Sequence, residues 1–247
     1  MIDLKEFARA ARAHWMSEFD EFWRWKLEVE TQKEHILDDT HRREACRRLW
    51  TILRGWQAYR PSDPTVCLRI LEDSLGKMAD AYNQIRSYSL LEFDEVPNKP
   101  LELIWHELGR VKEKDGKRDL HGYYYIVSLS KHLMFLWGQT LAFDKKVRTR
   151  IPYNIPKGNR WCLEDWKRVM RSFQEDFRRD RETLDAFNRE SLRRCGTASI
   201  VPYGRFLDVN YHWEFRPRAK GGRQEVEDAG VLREDDEDSY YSRERSI

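Results

Sequence analysis

Residues 123–137 read Tyr-Tyr-Tyr-Ile-Val-Ser-Leu-Ser-Lys-His-Leu-Met-Phe-Leu-Trp, and this stretch decides the fold class. It is hydrophobic almost all round, which is typical of a helix that is buried on every side. We therefore predict a central helix over Gly122–Trp137 that ends at Gly138. A lysine, Lys131, lies within this apolar helix.

Helical periodicity continues on both sides of the central stretch, and no alternating strand pattern is longer than a few residues. Capping residues and prolines set the predicted boundaries. The other predicted helices are one that includes Phe7–Trp23, one after Asp38-Asp39-Thr40, one from Asp63-Pro64 to about Ser87, and others over Pro100–Leu108, after Asp144, over Trp161–Arg194 and over Tyr203–Phe215. The pattern predicts an all-α fold.

The composition favours one compact domain. The chain has 247 residues, of which 40% are hydrophobic, and its 10 Trp, 11 Tyr and 11 Phe supply enough apolar surface for a large core. Because no long linker interrupts residues 1–215, we predict a single helical domain over this range. In residues 216–247, Gly221-Gly222 precedes an acidic run with few apolar side chains, which predicts a disordered tail.

Several protein classes are disfavoured by the composition. No run of about 18 apolar residues exists, so we expect no transmembrane helix. The first six residues, Met-Ile-Asp-Leu-Lys-Glu, lack the apolar stretch of a signal peptide, which favours a cytoplasmic protein. The scattered cysteines (Cys46, Cys67, Cys162 and Cys195) lack metal-site spacing and are expected to be free thiols rather than zinc or iron–sulfur ligands.

The pair formed by Lys131 and Asp144 is the main chemical signal. Asp144 follows a short loop after the central helix and is placed to cap the next helix. A lysine on an apolar helix with an aspartate at this position is a recurrent arrangement in the cleavage of N-glycosidic bonds. It is also typical of a structural pair, in which the lysine extends to the surface and the aspartate only caps a helix. The residues alone leave both interpretations open.

Two motifs resemble a known family. Ser130-Lys131-x-Leu133-x-Phe135-Leu136, followed by Phe143-Asp144-x-x-Val147, resembles a segment of prokaryotic proteins with the fold of 8-oxoguanine DNA glycosylases (OGG fold). These proteins belong to the helix–hairpin–helix DNA glycosylase superfamily. Gly204-Arg205-Phe206-Leu207-Asp208, with Trp213 following, is similar to the closing helix of the same group. The superfamily's Gly-x-Gly hairpin ahead of the lysine is not present in residues 124–129.

The resemblance implies a DNA N-glycosylase that removes a damaged or modified base. Asp144 matches the catalytic carboxylate and Lys131 the catalytic amine. Such enzymes flip the base into a pocket and stack it on aromatic groups. The candidate pocket residues are His132, Trp137, Phe143 and Trp213. We expect no metal and no cofactor. Some prokaryotic glycosylases act on hypermodified phage bases, so antiviral defence is a compatible context.

A basic run next to Asp144 is the predicted DNA contact. Its residues are Lys145, Lys146, Arg148, Arg150, Lys157 and Arg160. Basic side chains beside a catalytic carboxylate are suited to bind backbone phosphates, although an ordinary solvated helix face has the same composition. The net charge of +2 permits nucleic-acid binding without requiring it. DNA, RNA and a free nucleoside stay open as substrates.

A second function is compatible with the same sequence. The helix after Asp38-Asp39-Thr40 has an arginine-rich face within residues 42–54, and arginine and tryptophan are common in interaction hot spots. The alternative is therefore a non-catalytic all-α module that binds a protein or a nucleic acid. In that case His132 and Trp213 are ordinary core residues, and Arg205 and Asp208 form a local ion pair.

Overall fold

The computed structural model describes residues 17–60, 62–179, 181–182, 185 and 202–212, and their regular structure is almost entirely helical, as predicted. These residues belong to one compact unit. The helices are α1 (Ser17–Thr31), α2 (Arg42–Gly55), α3 (Pro64–Lys77), α4 (Ala79–Ile85), α5 (Asn98–Gly109), α6 (Ile126–Leu136), α7 (Lys145–Arg150), α8 (Leu163–Arg179) and α9 (Tyr203–His212). Three short 3₁₀ segments (Leu90–Glu95, Arg110–Lys112 and Lys114–Gly116) connect them.

The helix α6 is central, as its sequence predicts. Nine of its eleven residues are buried, and Val127 and Lys131 are the two that are partly exposed. The ring of Phe135 contacts the rings of Phe19 and Trp56 at centroid distances of 5.1 and 5.0 Å, so it joins α6 to both α1 and the end of α2. α6 also packs against α5. Burial on nearly all sides explains why seven of its eleven residues are apolar.

The predicted helix caps are confirmed at two aspartates. Asp63 precedes Pro64 at the first turn of α3, and its carboxylate accepts a hydrogen bond from the backbone N–H of Thr65. Asp144 caps α7 in the same way. The third predicted helix does not run unbroken to Ser87, because it is interrupted at Met78 between α3 and α4. Gly76, two residues earlier, lowers the helix propensity of that turn.

The start of the central helix differs from the prediction. Residues 124–125 form a short strand, β1, which pairs antiparallel with β2 (Arg160–Trp161), and α6 begins only at Ile126. A turn before β1 explains the difference: Asp119 accepts hydrogen bonds from the N–H groups of His121 and Tyr123, and Gly122 adopts φ +69°. The helix predicted from Trp161 accordingly begins at Leu163.

The last described helix, α9, packs against the loop that follows α6. Gly138 ends α6 with φ +76°, as predicted, and its carbonyl accepts the N–H of Gly204. A Cβ atom on Gly204 would lie 2.3 Å from the backbone N and O atoms of Thr140, so only glycine permits this approach. The loop between α6 and α7, which leads to Asp144, therefore packs against α9.

Some sequence predictions fall outside the described residues. They concern the start of the first predicted helix (residues 7–16), the end of the last one (residues 213–215), the tail over 216–247, Trp213, Cys195 and the last part of the helix predicted to reach Arg194. The division of the chain at residue 215 stays a prediction for the same reason. Among the residues that the structure describes, no helix is long and apolar enough to cross a membrane.

Candidate active site

Lys131 is anchored at the C-terminal end of α2. Its Nζ atom donates a hydrogen bond of 2.8 Å to the backbone carbonyl of Trp56, the residue that caps α2. The last carbonyls of a helix lack partners within the helix, and the partial negative charge there attracts a cation. The side chain is half-buried, so the ammonium is held in one place rather than extended into solvent.

Asp144 is held by the helix that it caps. Its Oδ1 atom accepts the backbone N–H of Val147 at 3.0 Å, and the side chain is half-buried. An N-cap carboxylate is fixed by the turn below it and is stabilised by the positive end of the helix. The structure thus supplies a carboxylate with restricted orientation, as the sequence predicts.

A buried hydrogen bond connects the lysine segment to the aspartate segment. Ser130 Oγ accepts the backbone N–H of Phe143 at 2.9 Å. Since Ser130 precedes Lys131 and Phe143 precedes Asp144, the two candidate catalytic residues lie on segments that are in direct contact. The hydroxyl therefore fixes how the loop before α7 sits on α6.

A second hydrogen bond to the loop before Asp144 comes from α9. Asp208 Oδ1 accepts the backbone N–H of Ala142 at 3.1 Å, and the other carboxylate oxygen forms an ion pair with Arg205. The side chains of Arg205 and Asp208 are only 4% and 7% exposed. The sequence predicts this ion pair but neither its burial nor the link to Ala142. Asp208 thus helps Ser130 to hold the loop that leads to Asp144.

Arg205 lies among aromatic rings. Its guanidinium carbon is 5.0 Å from the centroid of the Phe19 ring and 5.7 Å from that of Trp56. Burial lowers the pKa of Arg205 from its ordinary value, and the charge of Asp208 opposes this change. Trp56 therefore contacts both cations, Arg205 through its ring and Lys131 through its carbonyl. The sequence gives no signal for this role of Trp56.

The predicted base-pocket residues lie in the hydrophobic core. His132, Trp137 and Phe143 are at most 1% exposed. The Trp137 indole donates to the carbonyl of Tyr88, and the ring of Phe143 contacts that of Trp161. The structure therefore places these three side chains away from any open surface, in positions where they support the site instead of receiving a base. The fourth candidate, Trp213, lies outside the described residues.

The histidine next to the lysine is a core residue with both nitrogens bonded. Its Nδ1 atom lies 2.7 Å from the carbonyl of Ser128, and its Nε2 atom lies 3.1 Å from the hydroxyl of Tyr59. A carbonyl only accepts, so Nδ1 carries the proton and Nε2 accepts from Tyr59. Burial lowers the pKa of His132 to about 4, so the ring is neutral at pH 7.

The predicted DNA-contacting residues divide into two groups. Lys145, Lys146 and Lys157 are exposed, and the first two directly follow Asp144 in the chain. Arg148 donates to the carbonyl of Gly158 and to the side chain of Asn159, and Arg150 is half-buried. Arg148 thus stabilises the loop before β2 through these hydrogen bonds.

Arg160 is committed to internal contacts. It donates to both carboxylate oxygens of Glu113 at 2.8 and 2.6 Å and to the carbonyl of Tyr123. Its guanidinium also lies 4.5 Å from the centroid of the Tyr125 ring. Because Glu113 already balances its charge, Arg160 would have to give up this pair to bind a phosphate. The prediction that it contacts DNA is therefore not favoured by the geometry.

Comparisons with known proteins add no relative. No protein-family model matches the sequence, and no curated protein and no solved structure matches it. Among the described residues, no group of three or more His, Cys, Asp or Glu side chains is arranged to hold a metal ion. The chemistry that the site supports is therefore inferred from its own side chains.

Proposed function

We propose that this protein is a DNA N-glycosylase that excises a damaged or modified base and leaves an abasic site, with Asp144 and Lys131 as its catalytic residues. One observation carries the proposal. The buried hydrogen bond from the Phe143 N–H to Ser130 Oγ holds the half-buried ammonium and the half-buried carboxylate on adjoining segments. The exposed Lys145 and Lys146 directly follow the carboxylate, where a DNA strand would need cations.

The proposed reaction places the main task on Asp144. As the bond between C1′ and the base nitrogen breaks, the base takes the electron pair and positive charge builds on the sugar. A fixed carboxylate beside C1′ stabilises that charge and orients a water molecule. The water oxygen then bonds to C1′, one of its protons is released, and the departing base is protonated.

Lys131 has two possible roles, which one experiment separates. As an ammonium bound at the Trp56 carbonyl, it orients the substrate and balances the carboxylate. As an amine that has lost its proton, it would attack C1′ and displace the base, which leaves with the bonding electron pair and takes up a proton. Opening of the sugar ring would then give a Schiff base that borohydride reduces to a stable protein–DNA adduct. An adduct that is lost in Lys131→Gln would assign the nucleophilic role, whereas base release without an adduct would assign the orienting role.

The first test is an abasic-site assay on genomic DNA from several hosts and phages, including DNA with heavily modified bases. Wild type is compared with Asp144→Asn, and Asp63→Asn is the matched control because Asp63 also caps a helix through its side chain. Asparagine caps a helix about as well as aspartate, so neither variant should lose its fold. We expect only Asp144→Asn to lose activity.

Two results would contradict the proposal. Equal base release by wild type and Asp144→Asn would remove Asp144 from the mechanism. The absence of abasic sites on every DNA tested would contradict glycosylase activity and favour the non-catalytic binding module. In that module's arginine-rich face, Glu44 pairs with Arg47 and Arg48, so the face carries less net charge than its arginine content suggests.

A further inference from the structure

A cleft of about 330 Å³ lies where α2 ends and α3 begins. This volume is at the lower end of the range for ligand sites, roughly 300–1,000 Å³. The cleft is lined by Arg54, Gly55, Gln57, Tyr59, Arg60, Ser62 and Pro64, among which there is no carboxylate. A concave surface with two arginines and no acidic side chain is suited to an anion.

The two arginines of the cleft are available for a ligand. Both Arg54 and Arg60 are exposed, and neither guanidinium has a hydrogen-bond or ion-pair partner among the residues that the structure describes. Among the other arginines of α2, Arg42, Arg47 and Arg48 pair with carboxylates, whereas Arg43 is exposed and has no partner among the described residues. Arg54 and Arg60 are therefore distinguished by their position on the cleft, not by the lack of a partner alone.

The other polar groups of the cleft narrow the class of ligand. The Tyr59 hydroxyl donates a hydrogen bond to His132 Nε2, and the Ser62 hydroxyl donates one to the carbonyl of Lys112, so neither hydroxyl hydrogen is available to a ligand. The remaining side-chain donors are the two guanidinium groups and the amide of Gln57. Arginine presents its donors as a planar fork that matches the oxygens of a phosphate.

The cleft adjoins the candidate active site through one residue. Trp56 stands between Gly55 and Gln57, which both line the cleft, and its carbonyl holds Lys131 Nζ at 2.8 Å. The cleft is thus lined by the two neighbours of the residue whose carbonyl binds the proposed catalytic lysine. A DNA strand that brings a base to Lys131 has phosphates on either side of that base.

We infer that this cleft binds a backbone phosphate of the nucleic-acid strand, with Arg54 and Arg60 as its ligands. The inference rests on the proposed function, and it adds a phosphate site outside the basic run of Lys145–Arg160. It also supplies a means of gripping the backbone in a chain whose residues 124–129 lack a Gly-x-Gly hairpin and instead begin with β1.

The test measures DNA binding by the full chain in an Asp144→Asn background, which separates binding from base release. The probe is a short fluorescein-labelled single-stranded oligonucleotide, titrated at several KCl concentrations. Arg54→Gln/Arg60→Gln is compared with Arg43→Gln/Arg69→Gln, a control that removes the same charge from exposed positions on α2 and α3 away from the cleft. We expect about tenfold weaker binding for the cleft variant.

The salt dependence gives a second readout. For the cleft variant, the magnitude of the slope of log K against log[KCl] should fall by about 0.7 for each contact with a single-strand phosphate that is lost. A general loss of positive charge would change both variants equally, whereas a phosphate site affects the cleft variant more. Equal slopes and affinities for the two variants would overturn the inference.

Gly55 allows a test that keeps both arginines. An added Cβ at Gly55 meets no atom within 4 Å, so a side chain fits there. We expect Gly55→Glu to weaken binding at least tenfold by placing a carboxylate in the cleft, and Gly55→Ala to bind like wild type. Unchanged binding by Gly55→Glu, or no binding by wild type, would overturn the inference. Base release in the abasic-site assay judges the proposed function separately.

Discussion

Replacing Ser130 with alanine should destabilise the fold and lower activity together. Ser130 is fully buried, and its Oγ is the acceptor for the N–H of Phe143. Alanine would leave that N–H buried without its acceptor, at a cost of about 1–3 kcal/mol in the free energy of unfolding. For a chain of this size, each kcal/mol corresponds to about 2–4 °C in melting temperature, so we expect a decrease of about 2–12 °C.

Ser128 provides a matched control on the same helix. It is also buried, but its hydroxyl has no hydrogen-bond partner among the described residues. Removing an unsatisfied hydroxyl costs little, so Ser128→Ala should be neutral or slightly stabilising. Urea unfolding and base-release rates would be measured for both variants. Equal losses of stability, or an active and fully stable Ser130→Ala, would refute the idea that this hydroxyl positions the loop before Asp144.

Two further predictions concern stability. The pKa of His132 is about 4 in the folded state and about 6.5 when unfolded, so the unfolded chain binds more protons between these values. The free energy of unfolding should therefore fall by up to about 3 kcal/mol as the pH decreases through this window. The fall in the urea midpoint should be smaller in His132→Gln and unchanged in His121→Gln, an exposed control. Gly204→Ala forces a Cβ against the backbone of Thr140 and should cost at least about 1–3 kcal/mol in thermal unfolding, whereas Gly55→Ala should cost nothing; equal melting temperatures would contradict the packing of α9.

Local signals predicted much of the fold. The apolar stretch around Lys131 indicated a buried helix because nearly every face of it is hydrophobic, and α6 is central. Asp63 and Asp144 were recognisable as caps because an N-cap is a property of a few neighbouring residues. The strand pairing of Tyr124 with Trp161 was missed, since two residues are too few for an alternating pattern and the partner strand follows only after α6 and α7.

The site was predictable only where it is local in sequence. Lys131 and Asp144 are thirteen residues apart, and the hydrogen bond that joins their segments also spans 13 residues. Their other supports are remote: the carbonyl of Trp56 is 75 residues from Lys131, and Asp208 is 66 residues from Ala142. The sequence contains no signal for a backbone carbonyl that binds a side chain. The structure places the predicted pocket residues His132, Trp137 and Phe143 in the core. Aromatic character alone does not distinguish a core residue from one that lines a cavity.

The position of Lys131 bears on how a base would be removed. Its ammonium donates to the carbonyl at the end of α2, where the helix dipole favours a positive charge. A nucleophilic amine needs a free electron pair, so Lys131 would have to lose a proton and break this hydrogen bond before it could attack C1′. Asp144 needs no such change, because its carboxylate is already fixed by the N–H of Val147. If the proposed function holds, these contacts are more compatible with hydrolysis by a water that Asp144 orients than with attack by Lys131.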